Sequence, residues 1–128
     1  MTDQAIIAEL NAAFLRASET DAPINQRLDI YADALRQHLP PFAEAVDRLV
    51  TRLQLAGAGE AAPKVGEPMP PFLLPDDQGH LVSLEEVLSK GPVALAFHRG
   101  HWCPYCMLNS RALAEVLEQA AAFSSQII

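Results

Sequence analysis

The sequence predicts an α/β protein in which an N-terminal helical extension is followed by an incomplete strand–helix–strand unit. Three observations carry that prediction. Apolar residues recur at spacings of three and four through the first 56 residues. Five of the ten prolines fall between Ala61 and Pro75. A continuous apolar run, Val93-Ala94-Leu95-Ala96-Phe97, then precedes another helical stretch and an apolar end at Ile127-Ile128, the element order of α/β units.

Taken in order, the first helix spans about 3–18 and places Ile6, Ile7, Leu10 and Phe14 on one face. The second starts with Asp21 as N-cap and Pro23 in its first turn, carries Ile24, Leu28, Tyr31 and Leu35, and stops at Pro40-Pro41. The third carries Phe42, Val46, Leu49, Val50 and Leu53 and ends at Gly57-Ala58-Gly59, where glycine closes a helix without Cβ strain. Those glycines are not a nucleotide-binding loop, because no strand precedes them and the full glycine pattern is missing. Residues 1–60 thus form a helical cap or dimerisation element with its aromatic residues at core spacings.

Residues 61–75 are a proline-rich linker that feeds an edge strand at most, since proline has no N–H to donate to a ladder. Asp76-Asp77-Gln78-Gly79 is a turn signal, and His80-Leu81-Val82 returns as the second strand of a small hairpin. Ser83-Leu84-Glu85-Glu86 is a capping box for a short helix over about 84–90, which Gly91-Pro92 ends. Val93–Phe97 has the uninterrupted apolar pattern of a parallel strand buried on both faces. After Pro104, residues Tyr105, Leu108, Ala112, Val116, Leu117, Ala120 and Ala121 trace one face of a helix running to about 122, and Gln126–Ile128 begins another strand.

Composition narrows the function. Nine basic against sixteen acidic residues give a net charge of −7 and a pI near 4.9, which excludes the clustered basic footprint of a nucleic-acid binder. No run approaches the roughly 18 apolar residues of a membrane span. Nothing at Met1-Thr2-Asp3-Gln4 resembles an export signal, so the cytoplasm is the expected compartment. Two cysteines three residues apart then point to redox chemistry or metal binding, not to a disulfide framework.

Those cysteines lie in Phe97-His98-Arg99-Gly100-His101-Trp102-Cys103-Pro104-Tyr105-Cys106. The segment joins a predicted strand to the first turn of a predicted helix. Unpaired backbone N–H groups and the positive end of the macrodipole at that turn favour thiolate over thiol. Residues 87–114 contain Lys90, Arg99 and Arg111 but no acid, whereas the other 100 residues hold all sixteen. With both sulfurs on neighbouring helical positions, one can attack a substrate and the other can close a disulfide.

Trp102-Cys103-Pro104-Tyr105-Cys106 resembles the thioredoxin and glutaredoxin active-site pattern. The longer segment from Phe97 to Cys106 resembles the peroxiredoxin-like branch, the alkyl hydroperoxide reductase and thiol-specific antioxidant family. Val65-Gly66-Glu67-Pro68-Met69-Pro70-Pro71-Phe72-Leu73-Leu74 is similar to the family's first strand, and Gly79 followed by Leu81-Val82-Ser83-Leu84 adds support. The resemblance covers about residues 64–128 and implies a thioredoxin-like redox domain of which only the N-terminal part is present. The later strands that carry the family's active-site Arg and the cis-Pro loop have no counterpart.

What the resemblance implies is a thiol-dependent peroxidase. A Cys thiolate attacks a hydroperoxide, becomes a sulfenic acid, and condenses with the second Cys to a disulfide that a thioredoxin- or glutaredoxin-type reductant reopens. Cys103 and Cys106 are the catalytic pair, Arg99 stabilises the thiolate, and Gly100, Trp102 and Pro104 position the loop, with no metal and no cofactor. In the peroxiredoxin register Arg99 takes the Pro position, Cys103 the Thr position and Cys106 the peroxidatic position; in the thioredoxin register Cys103 attacks. Helix physics favours Cys103, which lies nearest the helix terminus and is expected to be the more exposed.

Other readings compete. A disulfide reductase would use the same two thiols. Zinc on His98, His101 and the two cysteines lacks a second Cys pair, and haem attachment is excluded because Met107 follows Cys106. Two inert buried thiols would have no use for the Gly100, Trp102 and Pro104 punctuation. A non-enzymatic scaffold would dimerise through the N-terminal helices, which are also the expected homodimer contact of the enzyme.

Overall fold

The computed structural model describes residues 2–128, a helix-rich chain with two small sheets. Two compact units form. One comprises the residues up to Ala58 together with His98–Ala112, and the other comprises Gly59–Phe97 with Leu113–Ile128.

The first unit holds α1 (Asp3–Glu19), α2 (Ile24–His38), α3 (Pro40–Leu55) and the front of α5 (Pro104–Glu115). Thr2 caps α1, its hydroxyl accepting the Ala5 N–H at 3.3 Å. The core is built around small side chains: Ala13, Ala17, Ala34 and Ala43 are buried with Tyr31, Leu35 and Leu108. Alanine at those positions lets helix backbones approach closely, and this decides which face of α1 packs. The row Leu10, Ala13, Phe14 and Ala17 turns inward, so Ile7, expected on the packing face, stays exposed.

The sequence also misplaces the start of α2. Pro23, not Asp21, takes the N-cap position. A residue before proline is pushed out of the helical region, so Ala22 cannot belong to the helix and Asp21 lies too far upstream to cap it. Arg27 of α2 is buried, and its Nε and Nη2 donate to the Ala17 and Ser18 carbonyls at 2.9 Å each. It thereby satisfies carbonyls left without partners where α1 ends.

Helix α3 starts on Pro40 and Pro41, whose missing N–H groups are ones the first turn leaves unpaired anyway. It ends as expected at Gly57, whose φ of 67° allows Gly57 N–H to reach Gln54 O and Ala58 N–H to reach Leu53 O. Its packing differs from expectation. Ala43 alone is buried, while Phe42, Leu49, Val50 and Leu53 remain exposed. The helix presents its alanine edge to the core, and its larger side chains fall beside that edge.

In the second unit, β1 (Leu73–Pro75) pairs antiparallel with β2 (Leu81–Ser83). Asp76 holds the turn by accepting the Gln78 and His80 N–H groups at 2.9 and 2.8 Å, with Gly79 at a φ of 84°. Ser83 caps α4 (Leu84–Leu88) through the Glu86 N–H at 3.1 Å. Only that half of the capping box forms, because the Glu86 carboxylate pairs with Lys90 at 3.3 Å.

β3 (Val93–Ala94) pairs in parallel with β4 (Gln126–Ile127), and Ala96 N–H extends the ladder to Ile128 O at 2.7 Å. The expected full burial of Val93–Phe97 does not occur: burial alternates along the run and Phe97 is 84% exposed. Within this unit the strand has one neighbour and no covering layer on both faces. The long helix expected to reach about 122 breaks at Val116, which adopts φ −108° and ψ 4° between α5 and α6 (Leu117–Ala122). Among the described residues no helix is long and apolar enough to cross a membrane.

Candidate active site

The cysteine motif from His98 to Cys106 lies within the first unit. Gly100, at a φ of 142°, turns the chain so that its carbonyl accepts the Cys103 N–H at 3.1 Å. Cys103 then becomes the N-cap of α5. Pro104 is the first helical residue, where its missing N–H does no harm. The Cys103 carbonyl accepts Met107 N–H at 3.0 Å, and its sulfur accepts Cys106 N–H at 3.4 Å. A thiol thus fills the role usually taken by Ser or Asp.

Arg99 addresses both sulfurs. Its backbone N–H donates to Cys106 Sγ at 3.3 Å, and its guanidinium Nη2 donates to Cys103 Sγ at 3.0 Å. The guanidinium also lies 5.8 Å from the centre of the Trp102 ring. Gly100 is required here for its φ, and a Cβ added to it would meet the Trp102 indole. Both cysteines are free thiols.

The order of exposure is the reverse of the sequence-based expectation. Cys103 is buried at 1% exposure, whereas Cys106 is partly open. Cys103 lines one cavity together with Tyr31 and Tyr105, and its sulfur is taken up by the Cys106 N–H and the Arg99 guanidinium, while Cys106 sits one turn on. The Cys106 thiol is held below the usual thiol range, first by the Arg99 backbone N–H, then by its hydrogen bond with Cys103, with the Arg99 guanidinium adding to both.

Aromatic residues close the inner side. Tyr31 and Tyr105 meet edge to face at 5.5 Å, and Phe14 meets Tyr31 in the same way at 6.4 Å. Burial raises the Tyr31 hydroxyl above its ordinary range, and the neighbouring charge of Cys103 raises it further. A cavity of about 420 Å³ opens beside Cys103, lined by Arg99 and Trp102 and by α3 residues that include Phe42, Val46 and Leu49.

The structure therefore brings together Arg99, Gly100, Trp102, Cys103, Pro104 and Cys106. His98, His101 and Arg111 stay exposed, and among the described residues no three His, Cys, Asp or Glu side chains gather as metal ligands. Sequence reasoning missed Tyr31 and the α3 residues as parts of this site. Their helical spacing reads as core packing, and no signal in it distinguishes a side chain that packs on another helix from one that lines a cavity.

In comparison with known proteins, a model of the AhpC/TSA family matches residues 65–128. No curated protein and no solved structure matches the chain. The aligned half contains β1 to β4 and the whole cysteine motif, and on that match the protein belongs to the AhpC/TSA family.

Proposed function

We propose that this chain is a thiol-dependent peroxidase in which Cys106 attacks and Cys103 resolves, with residues 64–128 acting as a thioredoxin-like redox unit. One observation carries the reading. A single residue, Arg99, donates to both sulfurs, by its backbone to Cys106 and by its guanidinium to Cys103. The open, acidified thiol is then the one that meets the oxidant, and the buried thiol is held beside it.

The chemistry balances on these atoms. The Cys106 thiolate attacks the terminal oxygen of a hydroperoxide; the S–O bond forms, the O–O bond breaks, and the departing alkoxide takes a proton. The Arg99 guanidinium supplies positive charge beside the oxygen on which negative charge develops. The Cys103 sulfur then attacks the Cys106 sulfur, an S–S bond forms and water leaves. A thioredoxin- or glutaredoxin-type dithiol reduces the disulfide and is itself oxidised.

The test is peroxide consumption by the reduced protein. The proposal expects stoichiometric loss of hydroperoxide in the wild type and its abolition in Cys106→Ser. Cys103→Ser keeps an oxygen acceptor at the α5 N-cap, so the fold survives and a sulfenic acid accumulates on Cys106. Turnover of low-molecular-weight or protein disulfides without any loss of peroxide would establish the disulfide-reductase alternative instead.

A further inference from the structure

The cavity beside Cys103 has a chemical character that peroxide reduction does not account for. At about 420 Å³ it falls in the range of small-molecule sites. Helix α3 contributes Phe42, Val46, Leu49 and Leu53, a stripe about 16 Å long at 1.5 Å per residue. These side chains lie outside the segment aligned with the family, and all but Val46 are substantially exposed. Among the described residues that line the cavity Arg99 is the one cation, and no carboxylate lines it.

We propose that this cavity binds a free fatty-acid-class carboxylate, with its acyl chain along the α3 stripe and its head group on the Arg99 guanidinium. A guanidinium fork suits a carboxylate, and Arg99 makes no ion pair with any described carboxylate. Arg48 and Arg52 surround an adjoining hollow with Leu49, with Arg48 itself 3.8 Å from Glu44. The lining is thus apolar with a single cation among the described residues, Arg99. The proposal stands independently of the peroxidase reading. It has a consequence for the thiols, since a bound carboxylate and Cys103 Sγ share one guanidinium, and occupancy of the cavity bears on thiol chemistry.

The experiment titrates the reduced full chain with monomeric dodecanoate, followed by calorimetry and by emission of Trp102, the single tryptophan and a lining residue. Saturable binding is expected. Dodecanol, with the same chain and no charge, should bind roughly tenfold more weakly, the scale of one charge-assisted hydrogen bond. Arg99→Gln should remove that preference, and Leu49→Glu, at an exposed position, should abolish binding with helix content unchanged. Equal affinity for dodecanol and dodecanoate overturns the proposal, as does indifference to Leu49→Glu. Absence of any saturable signal overturns it too, whether the chain runs as a monomer or as a dimer that covers the groove. A response to phosphatidylglycerol vesicles without one to monomeric dodecanoate would assign the surface to lipid bilayers instead. None of these outcomes depends on peroxide turnover, so failure here leaves the peroxidase reading to its own test.

Discussion

Replacing Gly100 by Ala perturbs the site through geometry alone, leaving every sulfur and charge in place. A Cβ at this position would clash with Trp102 Nε1 and sit 2.9 Å from its Cδ1, and the backbone φ is 142°. The indole is 67% exposed, so it can swing outward and relieve the clash. The backbone strain does not disappear in that way and costs about 1–3 kcal/mol. Loss of the exposed Arg99–Trp102 stacking adds about 0.5–1 kcal/mol. For a chain of this size the sum lowers Tm by roughly 5–15 °C. The assay is thermal unfolding together with Trp102 emission, which shifts towards that of a fully solvated indole. Loosening of the Gly100–Cys103 turn also frees the buried Cys103, so its alkylation accelerates. Wild-type Tm, emission and Cys103 alkylation in the variant would refute the claim that this glycine sets the loop.

Three further outcomes follow from particular contacts. Leu108→Ala removes a fully buried side chain whose neighbours include Ala13, Ala17 and Ala34, too short to fill the space, so urea unfolding should report a loss in the upper part of the about 2–5 kcal/mol range. Arg99→Met removes the guanidinium but not the backbone N–H that contributes most to the lowered Cys106 pKa. The pH midpoint of Cys106 alkylation should therefore rise towards the ordinary thiol value without reaching it; an unmoved midpoint would contradict the guanidinium's part. The Asp76 carboxyl is held below its usual range, chiefly by the His80 backbone N–H. A lowered folded pKa gives stability that is present above the unfolded carboxylate pKa and is lost as pH falls through the folded value. Protection of the Gln78 and His80 amides, taken relative to their intrinsic exchange rates at each pH, should accordingly fall in acid, and Asp76→Ala should remove that fall.

Much of the chain was legible in the sequence because its breakers act locally. Pro40-Pro41, Gly57, Gly79 and Gly91-Pro92 mark the ends of elements through φ and missing N–H groups, and the structure places boundaries at each. Spacing gave the helices but not their inward faces. On α1 the alanines, nearly silent in apolar periodicity, decided the packing over Ile7. On α3 the most hydrophobic stripe turned out to line a cavity. At the site the residue types and their spacing could be read directly, and the segment that carries them lies within the residues matched by the family model. The exposure of the two thiols could not. Position along the helix places Cys103 at the terminus, but whether a terminus faces water depends on Tyr31, more than seventy residues earlier in the chain.

The order in which the two thiols react tests the account most directly. Reduced wild-type protein is mixed with one equivalent of hydroperoxide, quenched at successive times with a sulfenic-acid trap, and mapped by mass spectrometry. The account predicts a trapped adduct on Cys106 at the earliest times, giving way to a Cys103–Cys106 disulfide as the adduct declines. An adduct that appears first on Cys103, or oxidation of neither thiol, would contradict it.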